Sequence, residues 1–192
     1  MTTDEELAGA FGRGDDRALA ALYQRWRAPL FVFCARMLGQ AEEARDVVQD
    51  IFAGAYERRG ELAQLRSFRA WLFTVARNRC LSTLRLHRNR ARLVQSHPDP
   101  AAPAPASAAV ESADDTLRVQ RALAVLPPDQ REALILREYQ DLSYREIAEI
   151  TGATESAVKS RIFRARQALC TLLRPTDSEG DPSCDAKIED RR

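Results

Sequence analysis

The stretch LSYREIAEITGATESAVKSRIFRARQAL, Leu142 to Leu169, decides the fold of the C-terminal part of the chain. Ser143 and Glu146 have the spacing of a capping box, which predicts a helix that begins directly after Ser143. Gly152 lies in a tight turn, where glycine is favoured because it adopts positive φ without strain. Thr154 is then expected to cap a second helix. Two short helices around such a turn are typical of a helix-turn-helix, whose second helix enters the major groove of DNA.

The second helix has two faces of different chemistry. At about 100° per residue, Val158, Ile162, Ala165 and Leu169 fall near one line, which predicts a buried stripe. Hydroxyl and cationic side chains elsewhere suit base edges at the centre and phosphates at the margins, although arginines can also serve only solubility. We expect six residues to contact DNA: Ser156, Lys159, Ser160, Arg161, Phe163 and Arg164. The pattern leaves open whether Phe163 touches a thymine methyl or packs on a neighbouring element.

Helical periodicity extends over most of the chain, and no segment alternates as a strand does, so we predict an all-α fold. Thr3 and Glu6 have a second capping-box spacing, which predicts a first short helix. The next helix is expected from about Asp16 to Leu38. Ser67 is expected to cap a further long helix. Between them, one helix carries an apolar stripe of Ala44, Val47, Val48, Ile51, Phe52 and Ala55.

The periodicity stops at residues 93–115, which hold four prolines, many alanines and only acidic charge. This composition is typical of an extended, flexible linker. We therefore predict two small helical domains, residues 1–92 and 116–173, of which the second contains the helix-turn-helix. Residues 174–192 are expected to form a disordered tail.

The overall net charge of +1 hides a strong asymmetry. Residues 58–92 contain ten arginines and one glutamate, a net charge of +9, whereas residues 1–57 carry −4. A segment this basic fits a polyanion, because every phosphate contact releases counterions and adds affinity. A solvated basic helix face is the other interpretation, and charge alone does not separate the two.

Several classes of protein are disfavoured by the sequence. The longest uncharged apolar run, Ala28 to Ala35, is far shorter than the ~20 residues of a membrane span, and the N-terminus is acidic where a signal peptide is basic. We therefore expect a cytoplasmic protein. The sequence has no phosphate-binding glycine loop, nucleophile elbow or metal-ligand cluster, so we expect no metal, no cofactor and no enzymatic activity.

Three segments in this order resemble a bacterial RNA polymerase sigma factor of the extracytoplasmic function type. AEEARDVVQDIFAGAYERR is similar to the polymerase-binding segment of that family, and SFRAWLFTVARNRCLSTLR to its minus-10 and promoter-melting segment. LPPDQREALILREYQDLSYREIAEITGATESAVKSRIFRARQAL is similar to its minus-35-binding domain. The larger members of the family have a middle domain where this chain has only the linker.

The resemblance implies roles for individual residues. Asp46, Gln49 and Asp50 match positions that contact the clamp helices of the largest polymerase subunit. The residues that the resemblance and the basic charge assign to the minus-10 strand are Arg66, Trp71, Phe73, Arg77, Asn78 and Arg85. The loop of residues 60–66, GELAQLR, corresponds to the one that captures a flipped base, but it differs from the FRG-like version of the family. For Trp71, simple core packing remains an equal alternative.

The resemblance also implies partners: the polymerase core, including its clamp helices and flap, promoter DNA and an anti-sigma protein. Two promoter boxes about two helical turns apart are separated by ~70 Å of duplex, so the polymerase surface is expected to set the spacing of the domains. The alternative function is a free-standing helix-turn-helix regulator that binds DNA without polymerase.

Overall fold

The computed structural model describes residues 2–96 and 111–174, so most of the predicted linker and the predicted tail beyond Arg174 lie outside the described residues. Within these two stretches the chain forms helices and no strand, which confirms the all-α fold. The helices of the first domain are α1 (Asp4–Gly12), α2 (Asp16–Leu38), α3 (Ala41–Glu57), α4 (Arg59–Leu62) and α5 (Phe68–Ser96). Those of the second are α6 (Glu111–Val125), α7 (Pro128–Glu138), α8 (Tyr144–Thr151) and α9 (Glu155–Leu173).

Side-chain caps fix where the helices begin. In α1, the Glu6 carboxylate accepts from the Thr3 backbone N–H at 2.8 Å, and the Thr3 hydroxyl accepts from the Glu6 N–H at 3.1 Å. Ser143 and Glu146 form the same reciprocal pair at the start of α8. Thr154 caps α9, and Gly152 adopts φ +65° in the turn between α8 and α9. The capping predictions and the glycine turn are thus confirmed.

The core of the first domain is built from aromatic rings. Phe33 lies edge-on to Phe73 with ring centroids 5.5 Å apart, and Phe73 lies edge-on to Trp26 at 6.0 Å. Edge-to-face pairs at these separations are favourable because the positive ring edge meets a negative ring face. The predicted stripe of α3 is buried throughout. This core fixes α3 and α5 side by side.

Two boundaries differ from the sequence expectation. Helix α5 continues to Ser96 and α6 begins at Glu111, so both ends of the predicted linker 93–115 are helical. The first proline after α5 is Pro98, which restricts its preceding residue, and nothing before it breaks the helix. The loop expected at residues 60–66 begins as the helical turn α4.

The two domains pack against each other. Helices α6 and α7 contact α2, and α8 contacts α5, so the buried residues of both domains form one continuous cluster. Sequence reasoning expected only a flexible connection between them. In addition, no helix in the described part of the chain is long and apolar enough to cross a membrane.

Candidate nucleic-acid interface

Helix α9 presents most of its predicted DNA-contacting side chains to solvent. Val158, Ile162 and Ala165 are buried against the rest of the domain, as their helical spacing predicts. The Phe163 ring, in contrast, is 45% exposed. The exposed members of the predicted set are Ser156, Lys159, Ser160, Phe163 and Arg164. Hydroxyl, cationic and aromatic groups on one free helix face are what base edges and phosphates require.

Arg161 is the exception within that set. Its side chain is only 27% exposed, and its Nε lies 3.2 Å from the Asp129 carboxylate at the start of α7. Its Nη1 is buried with no hydrogen-bond partner among the described residues. Arg161 therefore holds α9 against α7. From this position its guanidinium reaches no further than the margin of the exposed face of α9.

The first helix of the pair orients a cation of the second. The Lys159 Nζ lies 5.3 Å from the centroid of the Tyr144 ring, and the Arg137 guanidinium lies 4.9 Å from the same centroid. Cations are attracted to the electron-rich face of an aromatic ring. Tyr144 of α8 thus holds Lys159 beside the exposed face of α9.

Glu146, which caps α8, also takes part in an ion pair between the two domains. Burial raises the pKa of Glu146, but hydrogen bonds from Ser143 and the nearby Arg69 outweigh burial and leave that pKa lowered. Glu146 is therefore ionised when it caps α8. Because Arg69 belongs to α5, its 3.7 Å ion pair with Glu146 also joins the helix-turn-helix to the first domain.

In the first domain, a groove of roughly 440 Å³ lies between α3 and α5. Trp71 and Asn78, both predicted, line it, as does Asp50 of the predicted polymerase face. Sequence reasoning missed the other members of this wall, although they lie in or beside the basic segment: Gly54, Glu57, Arg58, Val75, Arg79 and Ser82. An aromatic ring, amide and arginines around one groove provide stacking and charge for a single strand.

Two aromatic residues predicted on this surface have different positions. Trp71 is partly buried, with its ring centroid 5.7 Å from that of Phe68, and still lines the groove. Phe73 is completely buried between Trp26 and Phe33. The prediction that Phe73 contacts the minus-10 strand is therefore wrong for this structure. Its ring points into the core because it shares the inner face of α5 with Ala76 and Cys80.

The predicted basic residues of the first domain fall into two groups. Arg66 and Arg85 are exposed, as is Asn78. Arg77 is not free, because its Nε donates to the Glu132 carboxylate of the second domain at 2.8 Å. The Arg77 side chain is 21% exposed, and the Glu132 side chain is fully buried. Only the first group is available to DNA in the arrangement described here.

Helix α3 carries the predicted polymerase-binding residues on its outer face. Asp46, Gln49 and Asp50 are all exposed, and Asp50 makes a 3.8 Å ion pair with Arg79 of α5. The acidic and amide groups thus form one face, while the opposite face of the helix is buried.

A second groove, which sequence reasoning missed, opens between α2 and α3. Its volume is roughly 450 Å³, and Arg27 and Arg45 flank its apolar floor. The apolar lining consists of Tyr23, Ala28, Phe31, Val48 and Phe52. The Tyr23 ring is half-exposed at this groove, and no sequence pattern indicated it.

Two family models match the sequence in the order of the two domains. Residues 22–90 match Sigma-70 region 2, and residues 116–169 match Sigma-70, region 4. The first match contains the groove between α3 and α5. The second contains the whole helix-turn-helix.

Whole-chain relatives support the same grouping. The chain is 30% identical over 182 residues to the RNA polymerase sigma-H factor of Pseudomonas aeruginosa, covering 90% of this chain and 94% of the relative. It is 33% identical over 171 residues to the ECF RNA polymerase sigma factor SigM of Mycobacterium tuberculosis, covering 89% and 85%.

Solved structures match over most of the chain as well. CnrH in complex with the cytosolic domain of CnrY superposes with a TM-score of 0.69 at 28% identity, covering 88% of this chain and 96% of the other. The sigma factor RpoE of Bartonella quintana, in complex with the anti-sigma factor NepR, gives 0.61 at 31% identity, covering 82% and 99%.

Proposed function

The chain belongs to the sigma-70 family as a sigma factor of the extracytoplasmic function type, which directs promoter-specific transcription by RNA polymerase, and from this premise we propose which of its surfaces serves each step. The second domain recognises minus-35 duplex. The first domain binds the polymerase core and holds the opened minus-10 strand. The polymerase performs the chemistry, and this chain supplies recognition.

Minus-35 recognition is carried by the exposed face of α9. Ser160 and Arg164 occupy its centre, where they reach base edges, and Ser156, Phe163 and Lys159 extend it. Arg164 forms its hydrogen bonds in the plane of its guanidinium, which suits bidentate contact with a guanine. Arg161 braces the helix and adds a contact to a phosphate at the margin.

Minus-10 recognition is carried by the groove between α3 and α5. The Trp71 ring offers a stacking surface for an unpaired base, and Asn78 lies in the same wall. Arg66 and Arg85 are exposed near this surface and neutralise phosphates of the displaced strand. Arg77 joins them once it is released from Glu132.

The outer face of α3 binds the polymerase clamp through Asp46, Gln49 and Asp50, because an acidic and amide face suits a basic helical partner. An anti-sigma protein competes for surfaces of the first domain, and both superposed structures hold such a partner or a cytosolic fragment of another protein. The flap of the polymerase binds the second domain.

The observation that carries the proposal is the pairing, in one chain, of an exposed helix-turn-helix face with an aromatic and basic groove on a second domain. It is tested by transcription with purified core polymerase on promoters whose start sites are mapped. Arg164→Ala is expected to reduce initiation by about 5- to 150-fold, equivalent to ~1–3 kcal/mol for one base contact. Arg145→Ala is the matched control, because Arg145 is exposed on α8 and its ion pair is with Glu149 of the same helix.

The same assay separates the alternatives. With an intact minus-35 box the parent chain initiates well, and with a scrambled box both parent and Arg164→Ala initiate equally poorly. Promoter selection that ignores the minus-35 sequence would contradict the role of α9. Tight, specific duplex binding without polymerase would favour a free-standing regulator instead.

A further inference from the structure

The segment of residues 59–67, which we call the end segment, lies at one end of the groove between α3 and α5. It joins the last turn of α3 to the first turn of α5, the two helices that form the walls of the groove. Arg58, directly before the end segment, lines the groove, and so does Trp71, in the first turn of α5. A base stacked on the Trp71 ring is therefore placed beside the end segment.

The end segment buries one apolar side chain and presents polar ones. Leu62 is only 1% exposed and belongs to the core. Glu61, Gln64 and Arg66 are exposed. Amide and charged side chains pair with the hydrogen-bonding edge of a base that is held outside a duplex. The position of the end segment therefore decides which base edges these three side chains meet.

Helix α1 and the turn that follows it contact the end segment at its start and at its end. At the start, Arg59 makes a 3.9 Å ion pair with Asp16, the first residue of α2. At the end, the Glu5 carboxylate of α1 accepts from the backbone N–H of Phe68 at 3.4 Å. Phe68 is the first residue of α5, and a carboxylate is favourable at the N-terminus of a helix. Both ends of the segment are thus tied to the same support.

The middle of the end segment rests on Gly12, the last residue of α1. A Cβ on Gly12 would lie 2.5 Å from the Cβ of Ala63 and 3.0 Å from its Cα. Carbon atoms in contact are normally ~3.5–4.0 Å apart. An alanine at position 12 therefore fits only if the backbone of the end segment moves by about 1 Å.

Nothing else in the local structure requires a glycine at this position. Gly12 is helical, and its φ is not positive. Alanine is the better helix former, so the helix itself would favour alanine. The close approach of Ala63 is the feature that a glycine makes possible here.

Resting on the proposed function, we propose that Gly12 is a positioning residue for minus-10 recognition. Through Ala63 it sets the position of the end segment, and thereby the base of the opened strand that the chain prefers. Gly12 itself touches no DNA. Groups that recognise a ligand must be held within about 0.5 Å of their working positions, and the displacement that an alanine imposes exceeds this tolerance.

The test measures how tightly the holoenzyme, the full chain with core polymerase, binds promoter DNA whose minus-10 part is single-stranded. Each single-stranded position carries each of the four bases in turn, and the preference at a position is the ratio of the best to the worst affinity. Gly12→Ala is expected to reduce the preference about tenfold at the positions that meet the end segment, as for loss of one base contact. Preference at the minus-35 box is expected to stay parental, because α9 belongs to the other domain.

Gly9→Ala is the matched control within α1. A Cβ on Gly9 would meet the flexible end of the Arg13 side chain at 3.3 Å, so no backbone has to move. This variant is expected to keep the parental preference. In the Gly12→Ala background, Ala63→Gly removes the closest clash and is expected to restore part of the lost preference.

A second variant tests the same support without a clash. Glu5→Gln keeps the shape of the side chain and weakens the bond to the Phe68 N–H, since a neutral amide oxygen is the weaker acceptor. It is expected to reduce the preference at the same positions as Gly12→Ala, by a smaller factor. Glu149→Gln makes the same change in net charge on α8 and is its control.

Parental preferences in both Gly12→Ala and Glu5→Gln would overturn the proposal. A loss of affinity in Gly12→Ala that is equal for all four bases would also overturn it, because that result indicates a role in stability alone. So would the absence of any recovery with Ala63→Gly. A parent holoenzyme without base preference in the minus-10 part would contradict the proposed function of the groove as well, so the two failures are distinguishable.

Discussion

Two phenylalanines show how helix position sets the role of a side chain. Phe163 is 45% exposed on α9, whereas Phe73 is completely buried on α5. The sequence predicted DNA contact for both. The helical positions of neighbouring residues in α9 predicted that Phe163 is exposed. The assignment of Phe73 to the minus-10 strand came from the family resemblance instead. The apolar spacing of Phe73, Ala76 and Cys80 already indicated an inner face.

Substitution of the two phenylalanines is expected to have opposite effects. Phe73→Ala removes a ring packed against Trp26 and Phe33 and should lower the free energy of unfolding by ~3–5 kcal/mol. Phe163→Ala should lower it by less than about 1 kcal/mol while weakening binding to minus-35 duplex. Urea unfolding followed by circular dichroism measures the first, and binding of the polymerase holoenzyme to the promoter measures the second. Equal losses of stability would refute this division of roles.

Arg161 marks a limit of prediction from one helix. Its position on the wheel of α9 is marginal, which suits either a phosphate contact or an internal one. Its ion pair is with Asp129, which lies on α7. A pattern within α9 holds no information about a carboxylate on another helix, so only the packed structure could assign it.

At the scale of elements, α5 is the helix whose length was underestimated. It runs for 29 residues, and from Arg88 onward the side chains described are exposed. Seven residues separate Asn78 from Arg85, so the two lie within about 20° on the helix. Arg90 lies about 120° from Asn78 on the same wheel. Arg85 therefore extends the strand surface, and Arg90 does not.

Arg85→Ala and Arg90→Ala form a matched pair that tests this register. Loss of one phosphate contact should reduce the slope of log affinity against log salt by about 0.7 for a single strand. Arg85→Ala is expected to show that change with an oligothymidine probe, and Arg90→Ala a smaller one. Titrations at several salt concentrations give the slopes. Identical slopes for both variants would mean that the basic end of α5 acts only as diffuse charge.

Element boundaries were predictable where the chain carries a local signal. The starts of α1, α8 and α9 follow from Thr3, Ser143 and Thr154, whose side chains accept backbone hydrogen bonds as expected. The helical turn α4 has no side-chain cap and no periodicity over its four residues. A turn that short is stabilised by its surroundings, and the sequence alone did not indicate it.

At the scale of the whole molecule, sequence reasoning identified two domains and not their contact. Gln120 reaches the carbonyl of Arg36, and Arg131 that of Met37, across more than 80 positions of sequence. Every residue has a backbone carbonyl, so residue identities do not show which carbonyl a distant side chain contacts. No sequence pattern could therefore pair these groups. The burial of Glu132 could not be predicted from the sequence either, because an acidic residue on a helix is usually exposed.

The stability of the packed chain is expected to depend on pH through Glu132. Burial raises the pKa of this carboxyl above its ordinary value of 4.5, while Arg77 and Arg161 act to lower it and Asp129 to raise it. The folded chain therefore holds this proton more tightly than the unfolded chain, and protonation of Glu132 contributes to stability. This contribution is fully present below 4.5 and is lost as pH rises through the raised pKa.

Urea unfolding between about pH 8 and about pH 5 measures this effect. The contribution of Glu132 to the free energy of unfolding should grow as the pH falls, and Glu132→Gln should lack that growth. A response of equal size in Glu132→Gln would assign the pH dependence to another group.

The contacts across the two domains include guanidinium, carboxylate and amide groups, with Gln140 and Arg131 almost fully enclosed, beside an apolar cluster that continues through both domains. The polar groups at this junction could exchange their partners for water, but the apolar part of the junction could not. Separation of the two domains would therefore cost the burial of that apolar surface, which favours the packed arrangement.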